Sequence, residues 1–132
     1  MLKKVIICLV GLAVAAVLYF GVKYLIDTMK YKKIISEIVI KTPDISQIQD
    51  GTYNGSFDAI LVAADVDVTV KDHRIAEIEI NKHKYESYRG ANAEVITDEV
   101  LVAQSLEVDT VSGATNSCKV ILKAIENALE NR

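Results

Sequence analysis

Val62-Ala63-Ala64-Asp65-Val66-Asp67-Val68-Thr69-Val70 is the stretch whose pattern sets the fold of this chain. Val66, Val68 and Val70 share one side, while Asp65, Asp67 and Thr69 share the other. That period of two marks a strand with one dry and one wet face. Lys71-Asp72-His73-Arg74 has turn character, and Ile75 to Lys82 alternates again, with Ala76, Ile78 and Ile80 opposite Glu77 and Glu79. Two such runs around a short polar loop predict an antiparallel hairpin. Upstream, Gly51 and Gly55 flank a short segment read as a further strand. The pair Asp65 and Asp67 faces water with no third ligand nearby in sequence, so no metal site is expected there.

The period changes after Gly90. Ile96, Val100 and Ala103 recur at three and four, which predicts a helix of about three turns. Further on, Val120, Ile121, Ala124, Ile125, Ala128 and Leu129 form one apolar stripe, with Lys119, Lys123, Glu126 and Glu130 outside it. The expected architecture is α+β: an N-terminal transmembrane helix, then a small antiparallel sheet packed against two C-terminal helices.

The transmembrane expectation rests on Val5 to Val22, eighteen residues without a charge, bounded by Lys3-Lys4 and Lys23. At the helical rise this run is roughly 27 Å long, close to the ~30 Å hydrocarbon core of a bilayer. It has no polar face of the kind a core helix shows. Lys23-Tyr24-Leu25-Ile26 offers no small-residue cleavage site, so an uncleaved anchor is favoured over a signal peptide. Residues 1–26 are therefore read as a membrane anchor and 27–49 as a juxtamembrane stalk. In the stalk Ile34, Ile35, Ile38 and Val39 recur at helical spacing among lysines. The helical continuation is expected to reach Lys41 and to break at Thr42-Pro43-Asp44, because proline disfavours helix at the residue before it. Residues 50–132 form the globular domain.

Charge divides at the same place. Residues 1–43 carry a net +5 and residues 44–132 a net −8, together the −3 of the whole chain. An acidic domain repels nucleic acid and excludes it as a partner, whereas the basic collar suits anionic membrane lipid. Lys23, Lys30, Lys32, Lys33 and Lys41 follow the span and only Lys3 and Lys4 precede it, which by itself points the C-terminal side toward the cytoplasm. Cys8 and Cys118 lie far apart in sequence, and no disulfide framework or CxxC spacing exists.

The residues with chemistry to offer run from Asp109 to Cys118. Ser112-Gly113-Ala114-Thr115 stands just before the strongest helix, with Asn116 and Ser117 placed to cap it. A helix start presents unpaired N–H groups and partial positive charge, which suits a phosphate. Gly113 permits a positive φ and a close approach. Small-residue loops before helices are common, however, and most merely cap the helix, so the residues alone leave both readings open.

Asp109-Thr110-Val111-Ser112-Gly113-Ala114-Thr115 resembles the D-x-x-S-G-A-T signature of the FMN-binding domain family. Known members include flavin-carrying subunits of the sodium-pumping NADH:quinone reductase and of the Rnf electron-transport complex. The similarity extends to Asp50-Gly51-Thr52-Tyr53-Asn54-Gly55, to Val68 through Asp72 with Ile75, to Gln104-Ser105, and to the last helix. It thus covers about residues 50–130. The chain departs from those subunits in being shorter, with a compact region between Gly90 and Asp109. That fits a standalone carrier as well as a subunit of a pump.

The resemblance implies FMN joined by a phosphoester to the oxygen of Thr115. It implies a separate flavin transferase that uses FAD as donor with magnesium and releases AMP. Asp109 would help that transferase bind metal or orient the hydroxyl, and Ser112, Gly113 and Ala114 would shape the loop and contact the phosphate. The implied role is electron transfer between a donor and an acceptor, proteins or a quinone-linked membrane complex, with no catalytic side chain of the chain's own. It also implies a single-pass protein of the cell membrane with its domain on the extracytoplasmic side. His83 or Tyr85 would pack on the isoalloxazine, and Lys84 or Arg89 would face its N1/O2 edge or the phosphate, all in a loop at 83–90. Glu94 would anchor that loop or stand as a plain exposed glutamate. Cys118 is expected to be a buried spacer and His73 a turn residue. Two other classes compete: a non-covalent flavin- or ligand-binding or sensory module in which Thr115 is only a cap, and a cofactor-free membrane-tethered adaptor.

Overall fold

The computed structural model describes residues 1–85 and 88–130, leaving out the side chains of Tyr88 and Arg89. Its first element, α1 (Leu2–Glu37), is one unbroken helix of 36 residues. No proline interrupts it, and it is long and apolar enough to cross a membrane by length and composition. It is exposed along its whole length as far as Ile26, whereas Tyr31 and Ile35, one turn apart on the same face, are buried. Ile34 and Ile38 flank them, partly buried.

The helix stops at Glu37 rather than near Lys41, and Ile38 is already extended at φ −65°, ψ 120°. The proline five residues on is not what ends it. Tertiary bonds do: the Lys123 ammonium donates to the Val39 carbonyl (3.3 Å), and the Lys41 N–H donates to Glu126 Oε2 (3.2 Å). The Lys41 bond claims an N–H that a further turn would pair with Glu37, and the Val39 bond satisfies a carbonyl whose helical partner, Pro43, has no N–H. Val39 is consequently exposed and plays no part in the apolar face expected of it.

Three strands form an antiparallel meander in the order β1 (Gly51–Asp58), β2 (Ala63–Lys71), β3 (Arg74–Lys84). Ala64, Val66, Val68 and Val70 of β2 are buried, as its alternation requires. The β2–β3 turn places Asp72 and His73 at φ 52° and 61°, the two positive dihedrals of a type I′ hairpin. His73 is a turn residue, as expected.

The alternation of β3 is corrected in phase. Val70 pairs with Ile75 and Thr69 with Glu77, so Ala76 is an extra residue in a bulge; Asn81 is a second, between the partners of Val66 and Asp65. Ile75 is therefore buried and Ala76 exposed, the reverse of a strict two-residue period from Ala76 to Ile80. The second bulge also turns His83 opposite Ala64, toward the core. The strand continues through Lys84, so His83 and Lys84 belong to it and not to a loop starting at 83.

Behind the sheet lies α4 (Thr115–Glu130), whose Val120, Ile121, Ala124, Ile125, Ala128 and Leu129 are all buried. It comes so close to β1 that a Cβ on Gly55 would collide with the backbone of Ala124 and Ala128. Between β3 and α4 run α2 (Tyr88–Ala91), a 3-10 turn (Asn92–Val95) and α3 (Ile96–Ala103). The helix α3 is about two turns long, shorter than expected. Gln104 ends it in the left-handed region at φ 52°, and Ala103 is exposed, so Ile96 and Val100 carry its buried face. The Gln104 amide accepts from the Ile75 N–H (2.8 Å) and donates to the Ile75 carbonyl (2.9 Å), taking the place of a strand neighbour at the sheet edge.

One charged residue of α4 is corrected as well. Glu126 is only 4% exposed, because residues 38–41 lie over it. Its carboxylate is satisfied by the Lys41 N–H and by Lys123 Nζ at 3.0 Å.

Candidate functional site at the mouth of the last helix

Thr115 is the first residue of α4, and the Cys118 N–H closes the first helical bond onto the Ala114 carbonyl (2.9 Å). The N–H groups of Thr115, Asn116 and Ser117 precede that bond and meet no acceptor among the described residues. Asn116 and Ser117 sit inside the first turn and do not cap it; the preceding residue is Ala114, which has no polar side chain. The caps expected from sequence are absent because the helix begins one residue ahead of them. The mouth of α4 is thereby left open to an outside acceptor.

The approach to that mouth is a tight turn. The Ala114 N–H donates to the Val111 carbonyl (3.0 Å), with Gly113 at φ 81°, the value a type II turn requires at its third residue. A second tie holds the same turn: the Val111 N–H donates to Cys118 Sγ (3.3 Å). Burial pushes the Cys118 thiol above its ordinary value, tempered by that N–H. Cys118 is thus a buried acceptor that fastens the loop to the helix, not an activated thiolate.

A cavity of about 260 Å³ opens at this mouth, lined by residues 113–117 together with Gly90, Val62 and Tyr31. Of the residues singled out from sequence, Gly113, Ala114 and Thr115 meet there. Thr115 is exposed and Ala114 buried, so the hydroxyl stands free over a small-walled floor. Ser112 is exposed in the turn and Asp109 is exposed six residues ahead of Thr115; both lie outside the cavity wall. Tyr85 is half-exposed and outside the cavity lining, packed beside Gly90, which does line it.

His83 lies further back. Its side chain is 2% exposed, its Nδ1 is 3.2 Å from Glu94 Oε1, and its ring centroid is 5.1 Å from that of Tyr85. Its Nε2 is buried with no hydrogen-bond partner among the described residues. Glu94 is thus the anchor of this segment. Lys84 Nζ donates to the Ile60 carbonyl (2.7 Å), away from the cavity wall. The role expected of Arg89 falls on a side chain outside the described residues.

The acidic pair on the sheet has its own partners. Asn54 Nδ2 donates to Asp65 and to Asp67 (2.8 Å each), and Asn81 reaches Asp65 at 3.2 Å. The Asn54 and Asn81 amides hold the Asp67 carboxyl below the usual carboxylate value.

Sequence reasoning placed Gly90 in the loop expected beside the flavin, but missed Tyr31 and Val62 as cavity residues, and Asn116 and Ser117 except as caps. The signal for Tyr31 was available: an aromatic four residues before Ile35 in a lysine-rich helix marks a docking face.

A three-stranded meander backed by one long helix, with an open helix mouth over a small-residue turn, defines a small α+β domain. Residues 63–130, more than half of the chain, match the family model described as FMN-binding domain. The chain belongs to the FMN-binding domain family, and FMN is the cofactor that family membership implies. No curated protein matches the chain. The residues present fit the phosphate end of that cofactor: three open N–H donors, a glycine in the left-handed region and an exposed hydroxyl converge on one cavity.

Proposed function

We propose that Thr115 carries FMN through a phosphoester and that the chain is a membrane-anchored electron carrier. The observation that supports this most is the exposed Thr115 hydroxyl at the first position of α4, beside open N–H donors, within the segment that matches the FMN-binding family. Esterification exchanges the hydroxyl proton for the phosphoryl group of FMN, with FAD as donor and AMP as leaving group. A separate flavin transferase with magnesium performs it, and an exposed hydroxyl is what such an enzyme must reach.

Each residue's part follows from its place. Gly113 and Ala114 keep the approach to Thr115 free of side-chain bulk, while the first-turn N–H groups receive the phosphate oxygens. Ser112 and Asp109, exposed beside the turn, face the transferase and not the cofactor. Tyr85, half-exposed beside Gly90, covers the ring from outside the cavity, and His83 supports it from behind. Bound FMN supplies one- and two-electron transfer, for which the protein sets position and environment.

The apolar helix α1 serves as a single-pass anchor in the cell membrane, with the domain on the extracytoplasmic side. The resemblance supports that sidedness and outweighs the lysine distribution, which is a statistical rule. Electron donor and acceptor are membrane-associated proteins or a quinone-linked complex.

Intact mass tests the central claim. Co-expression with an active flavin transferase should add the mass of FMN less water, and Thr115→Ala should abolish the addition. Yellow colour lost in denaturant would replace this reading with non-covalent binding. A folded chain that stays colourless would replace it with a cofactor-free adaptor.

A further inference from the structure

We propose that Tyr31, carried by the anchor helix, is a positioning residue of the flavin site, its ring forming one wall against the bound isoalloxazine. This rests on the covalent-carrier reading above. Tyr31 is 4% exposed, although Lys30, Lys32 and Lys33 around it are exposed. It lines the same cavity as residues 113–117, and it is the one aromatic ring in that wall among the described residues. Ile35, one turn further along α1, is buried too, so the backbone that carries Tyr31 is held in place. A flat aromatic ring on a fixed helix suits a flat aromatic ligand, since offset or edge-on packing of two rings adds to plain area burial.

Tyr31 lies 32 residues ahead of the segment that matches the family model, in the part of the chain that leads out of the apolar span. It is nine residues past Val22 on one uninterrupted helix, a rise of roughly 14 Å. The residue that touches the flavin and the residues that meet the bilayer therefore share one rigid element. The anchor does not leash the cofactor domain; it completes its site and holds it close above the membrane surface.

The test uses the full chain in detergent, flavinylated by co-expression with the transferase, with Tyr85 and Tyr88 both changed to Phe so that Tyr31 is read separately. A tyrosine in contact with an excited flavin quenches its emission by electron donation, and phenylalanine does not. Tyr31→Phe should raise emission per flavin severalfold with the melting temperature nearly unchanged, and Tyr31→Trp should restore the quenching. Ile48→Ala, a packing change in the same core but off α1 and outside the cavity wall, should lower the melting temperature and leave the emission of the folded protein unaltered. Flavin mass present, with equal emission before and after Tyr31→Phe, overturns this inference alone. Absence of flavin mass from the parent chain overturns it together with the covalent reading. If Ile48→Ala reproduces the emission change of Tyr31→Phe, the contact is general packing and the inference falls.

Discussion

At the scale of single residues, Cys118 shows how a side chain near a functional loop is given structural work. Its sulfur takes the Val111 N–H, and its burial disfavours the thiolate. A folded-state thiol raised above its ordinary value of about 9 stabilises the fold fully at pH below the unfolded value. That contribution is lost as pH rises through the raised folded value. The urea midpoint should therefore fall above pH 9, and Cys118→Ala should flatten that part of the decline. The same substitution leaves the Val111 N–H without its acceptor and should cost about 1–3 kcal/mol at neutral pH, read by urea unfolding. Sequence placed Cys118 at the helix start and expected a buried spacer; the bond that gives it a purpose depends on how the turn folds back onto the helix.

At the scale of elements, the contact between β1 and α4 depends on one missing side chain. Gly55→Ala would drive a methyl into the backbone at Ala124 and Ala128, which cannot yield as a flexible side chain can. The helix must lift from the sheet, and we expect a loss of about 3 kcal/mol or more, seen as a lower melting temperature or failure to fold. The alternation of β2 and the stripe of α4 were legible because each depends only on which face is dry. The phase of β3 was not. Bulges at Ala76 and Asn81 answer to twist and to pairing with β2, and a strict two-residue count cannot contain them. Those bulges decide that His83 turns inward to Glu94. Similarly, the end of α1 is set by Lys123 and Glu126, some 85 residues away, so no local proline rule could locate it.

At the scale of the whole molecule, the long apolar helix α1 and the domain are packed as one piece. Tyr31, Ile35 and Ile48, from the stretch between span and sheet, are buried with the core of the domain. Thr42 adds polar ties, accepting from the Leu106 N–H (3.0 Å) and contacting Ser105 Oγ (3.2 Å). A chain beginning at residue 44 loses Tyr31 and Ile35 and uncovers Glu126. It should be less stable than the full chain by about 3–6 kcal/mol, on the burial of two large side chains. Thermal unfolding of both proteins in the same detergent measures this, and equal melting temperatures would mean that α1 adds nothing to the fold. The small-residue turn Ser112-Gly113-Ala114-Thr115 was legible because turn chemistry and a helix start are local. The remaining walls of the cavity come from α1, from the β1–β2 connection and from α2.

The sequence by itself determined what depends on neighbours within a few residues: the apolar span, the wet and dry faces of β2, the stripe of α4, and the small-residue turn that ends in Thr115. Only the tertiary structure decided the rest: where α1 stops, how β3 is phased, that Glu126 is covered, and that Tyr31 lines the cavity at the mouth of α4. Hydrophobic period and turn preference are short-range properties of the chain. Burial and hydrogen-bond satisfaction are settled between segments brought together from opposite ends of it.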